Sequence, residues 1–360
     1  MHRPHPCSAH DPIHCVVPPF ILERLAQCED RKVRERALAN LQLGAQLRAM
    51  RALVSTLPAS ILRYGAVPGP ARLRREVYDQ GNRNPPDRFL PGKLRRAEHG
   101  PATHDPAVDE AYNYAGSTWR LYHKIFGRNS LDDQGMTIVQ TVHAGVDYDN
   151  AFWDGRQMVY GDGDGVVFQR FTRAPDVVAH ELTHGVVQYT SGLDYQDEPG
   201  ALNEHFADVF GSLVRQYRKH QTAKRADWLI GKEILVPART RTALRSMQAP
   251  GTAYANDPYL GDDPQPAHYR DRYRGSGDYG GVHINSGIPN HAFYLAATEF
   301  GGYAWNAVGK VWYQVMLNLL PTSDFAECAR QCRLVAKSLA PKLGTRLTGV
   351  VDRAWKGVGL

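Results

Sequence analysis

The chain has 360 residues, 42% of them hydrophobic, which supplies a sizeable core and favours two packed domains over one. Its net charge of +6 reads as a solubility feature, because no zinc-finger, RNP or basic-aromatic pattern that would imply nucleic acid accompanies it. No run approaches the ~18 apolar residues that cross a bilayer, which excludes a helical membrane anchor.

The first twenty residues, "MHRPHPCSAHDPIHCVVPPF", lack an apolar core segment and a small-residue cleavage site. The expectation is a chain without a Sec signal peptide, made in the cytoplasm and either kept there or exported by a non-classical route. Five cysteines, Cys7, Cys15, Cys28, Cys328 and Cys332, are an odd number in a chain too long to need disulfides. Cys328 and Cys332 stand one helical turn apart and read as two buried thiols on one face.

Residues 18–57 have the pattern of an amphipathic helical unit. Prolines open it, and Ile21, Leu22, Leu25, Val33, Leu38, Leu41, Leu47, Leu53 and Val54 recur at spacings of three and four, with arginines between them and a break near "QCEDRK". This unit is too small to bury its own stripe and must dock on something. The Pro-, Gly- and Arg-rich stretches "RYGAVPGPARLRR" and "DQGNRNPPDRFLPGK" then read as an exposed linker open to proteolysis.

From about residue 105 the texture changes. "DEAYNYAGSTWRLYHKIF" predicts a helix, and "GMTIVQTVHAG" and "RQMVYGDGDG" predict strands with Gly/Asp turns. "GDGDG" (Gly161–Gly165) is a tight turn and not a calcium loop, since it lacks the spaced ligands and closing Glu. Beyond residue 176 helices are expected at 176–190, 200–218, 287–300, 303–318 and 323–341.

Within the first of these lies "HELTH", His180–His184. Residues four apart share a helix face, so His180 and His184 can direct ring nitrogens at one ion while Glu181 reaches a metal-bound water without being a ligand. Such a pentapeptide arises by chance at a rate on the order of a few per cent in a chain of this kind, so a third ligand is required. Catalytic zinc takes three protein ligands and one open position. "GALNEHFADVFG" places Glu204 twenty residues after His184, with Asp208 on the same face to take the free N–H of a ligand histidine. His205 is the rival third ligand.

"YDNAFWDGRQMVYGDGDG", "DVVAHELTHGVVQYTSGLDYQDEPGALNE", "LRSM" and "GGVHINSGIPNHAFYL" resemble, in the same order, the thermolysin family of neutral zinc metalloproteases. The resemblance implies an α+β, two-lobed zincin fold: a β-rich N-terminal lobe over 76–190, a mainly helical C-terminal lobe over 191–360, and the cleft between them. It implies a zinc endopeptidase that cuts before bulky apolar residues, with one catalytic zinc on His180, His184 and Glu204 and Glu181 as base. It casts His283 and Tyr195 as oxyanion donors, with Asp278 orienting His283. Asn150, Ala151 and Arg245 become the groups that grip substrate backbone, and Phe168, Val177, Ile230 and Leu244 the pocket for the residue after the cut.

"HCVVPPFILERLA", with Pro18, Pro19, Phe20 and Leu22, resembles the short prosegment of the protealysin-type branch. The resemblance assigns residues 1–75 to a prosegment and linker that help folding and keep a monomeric protease latent by docking on its own catalytic part. A cysteine switch through Cys7 or Cys15 is the alternative way of blocking zinc. Protein and peptide substrates are the expected partners, with no nucleic acid or membrane. The chain departs from the family at its double calcium site: Asp176 and Asp227 are in place, but Arg215, Leu229 and Lys232 stand where acids would. Cations cannot ligate Ca²⁺, so the double site is expected to be absent, with Arg215 or Lys232 neutralising the two aspartates.

Overall fold

The computed structural model describes residues 14–55, 71–83 and 90–360, excepting the side chains of His14 and of 47–55. Cys7, the stripe positions Leu47, Leu53 and Val54, and linker residues 63–70 and 84–89 therefore lie outside the described residues. Among the described residues no helix is long and apolar enough to cross a membrane.

A six-stranded sheet forms the N-terminal half. Its strands are β1 (His14–Cys15), β2 (Arg75–Arg83), β3 (Lys93–Ala97), β4 (Ile138–Ala144), β5 (Ala151–Trp153) and β6 (Met158–Tyr160), in the order β1-β5-β6-β4-β2-β3. The linker expectation is corrected here. Residues 75–83 form a strand that runs parallel to β4 and antiparallel to β3, so "DQGNR" and Lys93 belong to the sheet. The Gly and Asn that suggested a loop sit at the exposed end of β2, while Val77 and Gln80 are buried.

Helix α1 (Pro19–Leu25) starts where Pro18 is extended and Pro19 needs no amide partner, which is why two prolines open it. The chain breaks at residues 26–30. Asp30 then accepts the Lys32 and Val33 amides at 2.9 and 3.3 Å and starts α2 (Arg31–Ser55). Helix α2 docks through buried Val33, Ala37 and Leu43, and Arg36 pairs with Asp147 at 2.9 Å. Helix α3 (Pro106–Phe126) is capped by the Asp105 side chain and ended by left-handed Gly127. In "GDGDG", Asp164 Oδ1 accepts three successive amides, from Val166, Val167 and Phe168 at 2.9, 2.8 and 3.0 Å, which closes the turn.

The helical half holds α4 (Pro175–Gln188), α5 (Asp197–Lys219), α6 (Gly277–Asn285), α7 (Gly287–Phe300), α8 (Val308–Asn318), α9 (Phe325–Leu343) and α10 (Leu347–Gly357), with a small β7 (Leu229–Ile230) and β8 (Arg245–Ser246) pair. Helix α8 begins at Val308 rather than 303, and α10, too short to stand out by pattern, was not expected. Cys328 and Cys332 lie fully buried on α9.

Helix α4 is buried on every side from Pro175 to Val187, and α5 from Gly200 to Gln216. A helix buried all round is a core element, and these two carry the polar residues of the site. Their approach depends on Gly211, where an added Cβ would meet the Asp176 carbonyl oxygen at 2.6 Å. Gly211→Ala is expected to destabilise the fold by about 1–3 kcal/mol through overpacking, read as a lower urea midpoint at unchanged slope.

Candidate active site

Because α4 and α5 pack side by side, His180, His184 and Glu204 come together with ligand atoms all within 4.8 Å of one another. All three are fully buried. His180 Nδ1 donates to Asp208 Oδ1 at 2.9 Å, and His184 Nδ1 donates to Asn203 Oδ1 at 2.8 Å. Both Nε2 atoms are thereby turned inward and face each other at 3.1 Å. Each lies 3.4 Å from a Glu204 oxygen. Glu204 Oε2 is buried without a hydrogen-bond partner. A divalent cation would take both Nε2 atoms and that carboxylate, in place of the proton that His180 otherwise holds, and the His₂Glu donor set is one that suits zinc.

The protein charges alone pull the two histidines apart. Burial alone would lower the His180 pKa, but Asp208 and Glu204 outweigh it and hold it at about 9. Burial drives His184 down to about 3. Burial works against the Asp208 carboxylate too, yet Arg245 and His180 keep its pKa far below the usual range. Glu181 is fully buried with neither oxygen hydrogen-bonded, and burial raises its pKa well above the ordinary value. The nearby Val16 amide spends its hydrogen bond on Ala151 O at 3.2 Å.

On the opposite wall, residues Asp278 to Gly281 adopt four consecutive left-handed conformations within the start of α6, and its remainder carries His283 inward. Asp278 Oδ1 accepts His283 Nδ1 at 2.6 Å, and its other oxygen accepts the His283 amide at 2.8 Å. Burial alone would lower the His283 pKa; Asp278 and Glu204 raise it. The Tyr195 hydroxyl lies 3.2 Å from His283 Nε2 and donates to Glu204 Oε1.

Of the remaining expected residues, Asn150, Ala151 and Arg245 converge on one strand, β1 and its continuation. Val16 N–H donates to Ala151 O at 3.2 Å, and Val17 exchanges two hydrogen bonds with the Asn150 side chain, at 3.0 and 3.2 Å. Arg245 Nη1 donates to Val16 O at 3.0 Å, and His283 Nε2 donates to Cys15 O at 2.8 Å. Phe168, Val177, Ile230 and Leu244 are fully or almost fully buried in the hydrophobic core, which Val16 also joins. Cys15 thus enters the site by its carbonyl, and its thiol is not among the metal-competent atoms.

His205 turns away. Its Nδ1 donates to Asn290 Oδ1 at 2.8 Å, and its Nε2 accepts from Trp312 at 2.8 Å. It is a satisfied core histidine and not a rival ligand. Two residues that sequence reasoning missed complete the surroundings: Asn203 behind His184, and Asn290, which donates to Asp208 Oδ2 at 2.9 Å. Asn203 directly precedes Glu204 on the same helix, the one signal that could have pointed to it. Asn203→Ala is expected to weaken zinc affinity by about 10–100-fold, because His184 loses the partner that fixes its ring; competition against a chromophoric chelator measures it.

Comparison with known proteins decides the family. Residues 70–188 match "Thermolysin metallopeptidase, catalytic domain" and residues 191–360 match "Thermolysin metallopeptidase, alpha-helical domain". The chain belongs to the thermolysin family. It is 44% identical over 354 residues to an "Extracellular metalloprotease" of Pectobacterium carotovorum subsp. carotovorum, covering 97% of each chain. It is 42% identical to "Protease PrtS" of Photorhabdus sp. (strain Az29), covering 96% of this chain and 91% of that one. Its fold superimposes with a TM-score of 0.85 on the precursor of protealysin, a metalloproteinase from Serratia proteamaculans, at 44% identity over 96% of this chain and 99% of that one. This thermolysin-family member is therefore a metalloendopeptidase of protealysin type, with a two-part α+β fold and a prosegment-bearing precursor form.

Proposed function

We propose that the residues brought together on α4, α5 and α6 carry the peptidase reaction, in the roles the family resemblance assigns them. The observation that supports this most is the seating of an extended peptide, Cys15–Val17, against Asn150, Ala151, Arg245 and His283, on a strand that packs against α4. Zinc held by His180, His184 and Glu204 supplies carbonyl polarisation and a water of lowered pKa. Glu181 takes the proton of the attacking water and delivers it to the leaving amine nitrogen. His283, whose pKa Asp278 and Glu204 raise against burial, and Tyr195 donate to the carbonyl oxygen as it gains charge. Asp208 orients His180 and anchors Arg245, whose Nε and Nη2 both meet it at 2.9 Å.

Ala151, Asn150 and Arg245 hold the backbone that follows the cut bond. Phe168, Val177, Ile230 and Leu244 receive the next side chain, so cleavage falls before bulky apolar residues. Residues 1–75 act as prosegment and linker, anchored by Pro18, Pro19, Phe20 and Leu22; residues 76–190 and 191–360 are the two catalytic lobes. The protease works as a monomer. Like the Pectobacterium relative, whose name places it outside the cell, it acts after export.

Calcium plays no part in the family's double-site manner. Arg215 places its guanidinium between Asp176, Asp227 and Glu233, at 3.6, 3.2 and 2.6 Å, while Lys232 is exposed. Both readings meet in one experiment. Phenanthroline is expected to abolish casein hydrolysis and stoichiometric zinc to restore it, while EGTA leaves activity and melting temperature unchanged. Activity that survives zinc removal counts against the site, and an EGTA-induced drop in melting temperature at full zinc occupancy counts against the calcium reading.

A further inference from the structure

We infer that the Cys15–Val16 peptide bond is itself a substrate of this active site, the first bond cut in the chain's own maturation. The inference rests on the proposed function and adds the place of the cut. Of the peptide groups along β1 and its continuation, this one has its carbonyl oxygen on His283 Nε2 at 2.8 Å. Its amide nitrogen belongs to Val16, whose N–H donates to Ala151 O at 3.2 Å, on the strand that packs against α4, the helix of Glu181. The residue after the bond, Val16, is fully buried and apolar, and its own carbonyl is held by Arg245 at 3.0 Å.

The strand runs antiparallel to β5 with His14 opposite Trp153 and Cys15 opposite Phe152. It therefore crosses the site with residues on both sides of the bond engaged. A blocking segment can avoid cleavage by presenting a reversed chain or a side chain to the metal group. This one presents a peptide carbonyl, in the direction the backbone-gripping groups accept. Cys15 contributes its carbonyl and packs against the small apolar cluster of Leu43, Ala144, Tyr148, Phe152 and Val159; its thiol is not in the metal-competent group.

The chemistry balances with water alone. Water oxygen adds to the Cys15 carbonyl carbon, Glu181 carries one of its protons to Val16 nitrogen, and the C–N bond breaks. The products are residues 1–15 ending in a carboxylate and residues 16–360 beginning with an amine. Helices α1 and α2 keep the rest of the prosegment docked by contacts that this cut does not touch, notably Arg36 with Asp147 and Asn40 with Asp149. The nicked chain is thus an intermediate, in which the pairing of β1 with β5 still holds His14 and Cys15.

The test follows full-length protein with stoichiometric zinc by intact mass and N-terminal sequencing. A species beginning at Val16 is expected to appear before the mature form, at a first-order rate independent of protein concentration, and to be absent from Glu181→Gln. Val16→Asp places a charge in the apolar pocket and is expected to abolish that species. Should Val16→Asp misfold, the synthetic peptide HDPIHCVVPPFIL offered to the mature enzyme replaces it, with cutting between Cys and Val as the expected result. A chain that reaches casein-hydrolysing form without any Val16 terminus, and leaves that peptide intact, overturns the inference and leaves the proposed function standing. A processed, zinc-loaded chain with no casein activity overturns the proposed function instead.

Discussion

Glu181→Gln is expected to lower kcat for casein or a peptide substrate by about 10²–10⁴-fold, the usual contribution of a positioned acid–base group, with zinc content unchanged. The separation of these two readouts follows from the geometry. Glu181 lies on α4 between the two histidines in sequence but makes no hydrogen bond to either, and both of its oxygens are buried and unpartnered. His180 and His184 are oriented by Asp208 and Asn203 from α5, so an amide at position 181 leaves their rings where they are. Glutamine matches the shape of glutamate and cannot accept a proton at neutral pH. Metal analysis with single-turnover kinetics separates the outcomes: a fall in zinc occupancy would make Glu181 a structural support, and near-native kcat would remove it from the mechanism.

Arg215→Ala is expected to cost about 3–5 kcal/mol of folding stability, as when one partner of a buried ion pair is removed. The loss falls chiefly on Asp176, which is fully buried. Its Oδ2 keeps only the Gly231 amide at 2.8 Å, and its Oδ1 has no hydrogen bond. Asp227 and Glu233 are partly exposed and recover part of their hydration, so they add little. Burial and the Asp176 charge already raise the Glu233 pKa, and without Arg215 that repulsion loses its largest counterweight. Removing the cation also leaves three carboxylates around one space, the hard-oxygen environment that suits Ca²⁺. Millimolar calcium is therefore expected to raise the melting temperature of the variant and not that of the native chain. A loss below about 1 kcal/mol would show that solvent, and not Arg215, satisfies the cluster.

The zinc group was legible in the chain because its rules are local. Spacing of four puts two histidines on one face, and an acid on the following buried helix is an expensive residue that needs a cationic partner. The prosegment was legible in outline for the same kind of reason: a Pro-Pro opening and an apolar stripe define a helix that cannot stand alone. Strand β2 was misread because its Gly, Asn and Arg residues carry turn signals, while its pairing with β3 and β4 is non-local. Register in a sheet is a property of partners and not of the strand alone.

By itself, then, the sequence determined which residue types are available and at what spacing: two histidines four apart around Glu181, an acid on the next helix, and Arg215, Leu229 and Lys232 where the resemblance expects acids. The tertiary structure decided which polar atoms meet across long separations. It placed Asn203 and Asp208 behind the ligand histidines, removed His205 to Asn290 and Trp312, and added Glu233 to the Arg215 cluster. It also laid Cys15–Val16 between His283 and Ala151, residues more than a hundred positions away. Buried polar groups must find partners, but side-chain hydrogen bonds have no sequence period. Packing alone selects which candidates come within reach.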